Sequence, residues 1–347
     1  MPEIRIDPLS GHRTIVAGER SRRPGGAPGL PASVLETPPI DPAADPFAEG
    51  NEARTPPELY AVRPGGGVPD SPGWTVRVVP NLFPALSETA HDDAVAGGRD
   101  SAAAASRAPL RGDARGELFS SMPAHGAHEV IINGPQPVLS LAELPLEQVA
   151  AALDVWRERM RAHEQSAYVQ LIVNERREAG ASLPHTHAQL YALDFVPAAV
   201  ARERERAGAY ATRNMGQNLL GDLVAEEVRL RERIVAIDEE AVLMAPYASR
   251  LPFQLMLAPR RPLPRFEQDG PTGAALLHDG LRRLARHLGA SPPLNMWIRT
   301  APRGAEHFCW RIDVVPRLTH LAGLELSTDL NLNIVAPEHA AALLRDA

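Results

Sequence analysis

Residues Asn174 to Gln189 read NERREAGASLPHTHAQ, and the rest of the chain is best understood from this stretch outward. It follows an apolar run, Tyr168-Val169-Gln170-Leu171-Ile172-Val173, and ends with His185, His187 and Gln189 at every second position before Leu190-Tyr191-Ala192-Leu193. Alternate side chains of a strand share one face, so the spacing predicts strand, polar loop, strand, with two imidazoles and a carboxamide in a row. A neutral imidazole can attack phosphorus and carry a covalent intermediate. A neighbouring donor can hold a phosphoryl oxygen as charge shifts during transfer. Gly180 and Ser182 would let backbone and hydroxyl approach the same phosphates. The pair His185 and His187 equally suits a strand with ordinary polar residues or structural metal ligands, and the motif alone leaves these readings open.

The 347 residues allow one large or two ordinary domains. The composition is globular, 44% hydrophobic and 23% charged, and the net charge of -7 argues against a general nucleic-acid binder. The single cysteine, Cys309, excludes an internal disulfide framework and fits a reducing compartment. The N-terminal MPEIRIDPLSGHRT has no apolar core of a secretory signal, and no run approaches the ~20 apolar residues of a membrane helix. A soluble, cytoplasmic protein without membrane or nucleic-acid partners is expected.

Along the chain, residues 3–24 predict a hairpin turning at Pro8-Leu9-Ser10-Gly11, followed by a basic cluster of Arg20, Arg22 and Arg23. Those arginines read as a solvated loop or as a phosphate clamp. Residues 24–72 predict a long irregular segment, with a compact turn over 45–52. A short strand from Trp74 ends at Asn81-Leu82-Phe83-Pro84, where Asn81 is either a turn former or a ligand for base or ribose. Residues 87–115 are low in complexity and predict a flexible insertion.

The remainder reads as an internal repeat. A strand at 128–133, a helix near 145–163 with Leu146, Val149, Leu153, Trp156 and Met160 on one face, and strands at 168–173 and across the histidines form the first copy. The second has a strand at 253–259, a helix near 271–288 with Leu277, Leu281, Leu284 and Leu288, and strands at 294–299 and 308–315. Residues 197–235 predict a charged, solvated helical stretch between them. Two α+β halves with mainly antiparallel sheets, 1–195 and 196–347, follow. Aligned, the second copy has Cys309, Trp310 and Arg311 for His185, Thr186 and His187, and Asp313 for Gln189, so one chemical centre per chain is expected.

With these positions in place, the sequence resembles the galactose-1-phosphate uridylyltransferase family of the histidine triad superfamily. The pattern N-x5-G-x-S-x2-HxHxQ stands here as Asn174, Gly180, Ser182, His185, His187 and Gln189. DPLSG with ERSRRP, Asn81-Leu82-Phe83-Pro84, and Gly323-Leu324-Glu325 extend the likeness. The resemblance implies two histidine-triad-like halves. It implies a nucleophilic His187 that takes a nucleoside monophosphate from a nucleoside diphosphate sugar and passes it to a sugar 1-phosphate. Gln189 would bond the bound phosphoryl group; Asn174, Gly180 and Ser182 would cradle the diphosphate; Arg20 and Arg23 would neutralise charge; Glu325 would bind hexose hydroxyls. A homodimer is implied too. Uridine and adenosine remain equally open as the base, and inorganic phosphate or water is an alternative acceptor, with a non-catalytic nucleotide-sugar-binding protein as the reading of another class.

Family members commonly hold zinc through a Cys-x-x-Cys pair and two histidines, and a second metal through a glutamate and three histidines. Asp45 and Ala48 stand at the cysteine positions and Gln136 or Pro137 at the next, leaving His185 alone; Glu203 is matched with Pro262, Cys309 and Arg311. Neither set reaches the four ligands of a zinc site, so no metal or other cofactor is expected, and His185 becomes an orienting or packing residue.

Overall fold

The computed structural model describes residues 1–22, 29–35, 37–87, 118–119 and 121–347. The expected insertion at 87–115 therefore lies, except for Ser87, outside the described residues, as does Arg23.

The N-terminal hairpin pairs β1 (Glu3–Ile6) with β2 (Arg13–Val16), antiparallel, in the register Glu3↔Val16 to Ile6↔Arg13. Asp7 caps the turn by accepting from the backbone N–H groups of Leu9 and Ser10, the bonding expected of an aspartate that starts a turn. The segment expected to be irregular contains a single helical turn, α1 (Ala32–Leu35), and a strand, β3 (Tyr60–Val62), paired with β4 (Val76–Pro80).

One ten-stranded sheet runs through the protein. Its first part comprises β3, β4, β5 (Gly126–Ile132), β6 (Tyr168–Glu175) and β7 (His187–Leu193) in the order β3-β4-β5-β7-β6. β8 (Ile234–Ile237), β9 (Ala241–Met244), β10 (Leu255–Pro259), β11 (Leu294–Arg299) and β12 (Arg311–Pro316) continue it as β11-β12-β10-β9-β8. All of these pairings are antiparallel, and β6 joins β11 at the centre through pairs such as Asn174↔Asn295 and Ile172↔Trp297. The α+β class and antiparallel pairing thus agree with the sequence reading. β4 is the short strand expected after Trp74, whereas β3, β8 and β9, which the sequence reading did not anticipate, widen the sheet on both sides.

Two helices cover one face. α2 (Leu146–Ala162) buries Val149, Ala152, Leu153, Trp156 and Met160, and α5 (Ala274–Leu288) buries Leu277, Leu281 and Leu284. Leu146, expected on the apolar face, is the first residue of α2 and is exposed. Along β6 the pleat sends Val169, Leu171 and Val173 into this core and leaves Gln170, Ile172 and Asn174 half-buried on the other face. The charged stretch after β7 forms two helices, α3 (Ala198–Arg213) and α4 (Leu219–Leu230). α4 is not merely a solvated surface: Leu220 and Val224 pack on Val242, Met244 and Met256 of the opposite sheet face. On the first part of that same face, Phe47 and Trp74 pack on Val79, Val130 and Ile132.

The C-terminus continues through α6 (Gly323–Thr328), a short strand β13 (Asn331–Asn333) and α7 (Pro337–Arg345). β13 lies parallel to β2 and completes a second, three-stranded sheet with the N-terminal hairpin. No helix among the described residues is long and apolar enough to cross a membrane.

Candidate active site

His187 begins β7, opposite Ile132 of β5, and Gln189 lies opposite Val130 and Ile172. The pleat places both on the sheet face away from α2 and α5, with Asn174 further along β6 on that face. His187 is buried, and its Nδ1 lies 2.8 Å from the backbone carbonyl oxygen of His185. A carbonyl only accepts, so Nδ1 carries the hydrogen and the neutral ring keeps its lone pair on Nε2. Burial, followed by the nearby His185, pulls the His187 pKa below the usual histidine value and favours this neutral form; the bond to the His185 carbonyl opposes the shift. Phe47 meets the ring edge-on at 5.2 Å between centroids.

His185 faces elsewhere. Its Nδ1 is 2.6 Å from Asp45 Oδ2 and its Nε2 2.8 Å from the Gly134 carbonyl oxygen. Both neighbours are acceptors, so neither nitrogen turns a lone pair to open space. A buried aspartate from the 45–52 turn holds it, and Asp45 Oδ1 also accepts the Phe47 N–H. Among the described residues, no group of three or more His, Cys, Asp or Glu side chains could hold a metal ion.

Two residues not foreseen as part of the site orient Gln189. The backbone N–H of Ala85 donates to His128 Nδ1 at 3.1 Å, which puts the hydrogen of the neutral ring on Nε2, 3.1 Å from Gln189 Oε1. Tyr191 donates its hydroxyl to the same oxygen at 3.0 Å and stacks on His128 with centroids 4.1 Å apart. Burial keeps the His128 pKa below the usual value, against the Gln189 bond, so the neutral tautomer is the stable one. With its oxygen occupied twice, Gln189 has its NH2 left to donate. Asn81 lies beside this group, its Nδ2 3.1 Å from His128 Nε2, a neighbour that does not bond it in this tautomer, while Asn81 Oδ1 accepts the Phe83 N–H in a turn.

The loop between β6 and β7 contains the other expected residues. Gly180 has φ +91°, a left-handed conformation that glycine adopts freely, and it closes a 3-10 turn over Arg177–Ala179. Gly180 and Ser182 are exposed and open to a ligand. The structure therefore gathers His187, Gln189, Asn81 and Asn174 on one sheet face, with the 180–182 loop attached. Arg20 lies exposed on the 3-10 turn Gly18–Arg22, and Glu325 accepts the Ala322 N–H as part of the cap of α6. No hydrogen bond or ion pair among the described residues joins Arg20 or Glu325 to the histidine group.

Glu175, next to Asn174, is fully buried. Its oxygens accept from Ser140 Oγ (2.6 Å) and Leu141 N (2.7 Å), tying β6 to the turn that precedes α2. Burial nevertheless pushes its carboxyl up to about 7, the two bonds opposing the shift. A raised folded pKa contributes stability that is fully present below the unfolded value and is lost as pH rises through about 7. We predict that Glu175→Gln, which can keep both bonds, removes a pH-dependent contribution of ~3 kcal/mol. Urea unfolding at pH 5 and pH 8 measures it; parallel pH slopes for variant and wild type would count against it.

In the second part of the sheet, Arg311 replaces chemistry by an ion-pair network. Its guanidinium forks onto Glu203 at 3.0 and 3.2 Å, and its Nε donates to Asp313 at 3.0 Å. Arg299 lies 3.4 Å from Glu203. Glu203 thus faces Arg299 and Arg311, the latter one of the three residues standing where the resemblance would put histidines. Cys309 bonds the neighbouring Trp310 carbonyl, and burial raises its thiol to about 12, against a backbone bond with Leu263, leaving it inert.

With fold and geometry established, comparison with known proteins gives consistent results. The family described as "Galactose-1-phosphate uridyl transferase, N-terminal domain" matches residues 74–197, and a "Domain of unknown function (DUF4921)" matches 145–346. The chain belongs to the galactose-1-phosphate uridylyltransferase-like family. It is 26% identical to an ADP-glucose phosphorylase of Arabidopsis thaliana, over 99% of this chain and 93% of that protein. It is 29% identical to a galactose-1-phosphate uridylyltransferase of Cryptococcus neoformans var. neoformans serotype D, over 99% and 89%. The crystal structure of the Arabidopsis thaliana ADP-glucose phosphorylase with bound ADP-glucose superposes with a TM-score of 0.77 at 25% identity, covering 100% of this chain and 99% of that one. The relatives are enzymes, transferases in some cases and a phosphorylase in another.

Proposed function

We propose that this protein is a nucleotidyltransferase in which His187 Nε2 attacks the α-phosphorus of a nucleoside diphosphate sugar. The bond from that phosphorus to the bridging oxygen breaks, the sugar 1-phosphate leaves with the electron pair, and a nucleotidyl-histidine remains. A sugar 1-phosphate then attacks the same phosphorus and frees His187. The observation that carries this reading is the Nδ1–H bond to the His185 carbonyl, which leaves Nε2 as the free nucleophile. As the N–P bond forms the ring becomes cationic, and the same carbonyl oxygen meets the growing positive charge. The Gln189 NH2 would donate to a phosphoryl oxygen, with Asn174, Gly180, Ser182 and Asn81 around the nucleotide; Arg20, Arg23 and Glu325 remain proposed contacts for phosphate and sugar.

Incubation with UDP-glucose, UDP-galactose or ADP-glucose, followed by a mildly alkaline quench and intact-mass analysis, should show one nucleoside monophosphate per chain. No adduct with any member of the panel would defeat the covalent mechanism. A second reading, phosphorolysis, is favoured by the full-length likeness to an ADP-glucose phosphorylase. Adding inorganic phosphate or a sugar 1-phosphate to the isolated adduct separates the two: release of a nucleoside diphosphate marks the first acceptor, of a nucleotide sugar the second.

The reading includes no metal. Among the described residues, a zinc ion at His185 would have only Asp45 beside it, and both ring nitrogens already face acceptors, so these residues do not fit the family site. The Asp45 carboxylate takes over the anchoring of His185. Metal analysis of purified protein should give well under one zinc per chain; stoichiometric zinc retained through dialysis would refute this. The strand order supports two histidine-triad-like halves dividing near residue 195, because β3-β4-β5-β7-β6 has the same pattern as β8-β9-β10-β12-β11. A cytoplasmic homodimer belongs to the same proposal.

A further inference from the structure

We propose that Asn295, on a strand of the half without the histidine pair, is a positioning residue that fixes the Asn174 carboxamide and the loop behind it for phosphate binding. This rests on the reading that Asn174 to Ser182 handle the diphosphate. Asn295 of β11 stands directly opposite Asn174 of β6 at the centre of the sheet. Its Nδ2 lies 2.7 Å from the Ala179 carbonyl oxygen and 2.7 Å from the Asn174 side-chain oxygen.

The first contact decides the second. A backbone carbonyl is only an acceptor, so the Asn295 atom facing it is the NH2 group. The same NH2 faces the Asn174 amide, which must therefore present its oxygen to Asn295. The Asn174 NH2 is left at the other end of the carboxamide. Phosphate oxygens are acceptors, so a carboxamide serving them must present NH2; rotated by 180°, it would set oxygen against oxygen. One donor group on Asn295 thus chooses the useful orientation of Asn174. Through Ala179, it also pins the turn that ends at Gly180.

A second tie from the same half holds the start of this loop. Arg176 has φ +68° and ψ 158°, a conformation that a residue with a side chain rarely adopts. Its buried guanidinium donates from Nε to the Ser291 carbonyl at 2.7 Å, just before β11, and from NH1 to Thr37 Oγ1 at 2.8 Å. Residues 291 and 295 therefore hold both ends of the 174–180 loop, and the half without a nucleophile acts as its template.

The test is Asn295→Asp in the full chain, because a carboxylate has the same shape and cannot donate to either acceptor. It favours the flipped Asn174 amide, so single-turnover formation of the nucleotidyl adduct should slow by about ten- to a hundredfold, with the melting temperature followed in parallel. Asn295→Ala, which frees the amide without forcing the flip, should have a smaller effect. In an Asn174→Ala background, Asn295→Asp should lose most of its effect on rate. A role confined to stability would instead lower the melting temperature and slow both backgrounds by the same factor. That result, or an unchanged rate in the single variant, overturns the proposal while wild type still forms its adduct. A wild type that forms no adduct with UDP-glucose, UDP-galactose or ADP-glucose overturns the reading on which it rests, and this inference with it.

Discussion

His187→Ala should abolish adduct formation and reduce turnover by on the order of 10⁴- to 10⁶-fold, the scale seen when a nucleophile is removed. Among the described residues the side chain makes one hydrogen bond, its own Nδ1–H to the His185 carbonyl, so the variant should fold. Circular dichroism and melting then separate lost chemistry from lost structure. In wild type, the acid limb of the rate profile should lie below pH 6.5, because burial lowers the His187 pKa and the neutral ring is the reactive form. The sign is definite: falling pH protonates Nε2 and switches the nucleophile off. An adduct that persists in His187→Ala, or an acid limb above the ordinary histidine value, contradicts the assignment.

Asp45→Ala should have the largest effect on stability, about 3–5 kcal/mol, because it removes one partner of a buried ionic hydrogen bond and leaves the other in place. Its effect should also reach the chemistry. Asp45 holds the His185 ring, and the carbonyl of that same residue orients His187. Asp45→Asn, which can keep a hydrogen bond without the charge, should fall between alanine and wild type in both urea midpoint and rate. Wild-type stability of the alanine variant would show that His185 is held by Gly134 alone.

What the sequence made legible was local. The HxHxQ spacing gave the strand and the shared face of His187 and Gln189, since a period of two is seen within a few residues, but the expected row of three fails at His185, which precedes β7 and turns to Asp45 and Gly134. The helices at 146–162 and 274–288 were readable from their apolar periodicity for the same reason. The supports of the site were not. Asp45 reaches His185 across 140 residues, His128 reaches Gln189 across 61, and Asn295 reaches Asn174 across 121. Nothing in a local pattern encodes such meetings; they exist only after strands find their registers. One signal was available for His128, which begins a strand expected in the same copy as the histidine pair, and which the structure pairs with β7.

The parallel pairing of β2 with β13 sets an order of events during synthesis. Thr14 lies beside Asn331, so the N-terminal hairpin can complete its small sheet only after β13, more than 300 residues later, has left the ribosome. Until then β2 offers an unpaired edge, and the turn bearing Arg20 has no settled seat. Closing so long a loop slows the last folding step more than it weakens the finished protein, since the entropy of closure grows only slowly with length. Truncation before β13 should therefore release the first twenty residues to proteases while leaving the ten-stranded sheet, which is paired without them, able to form.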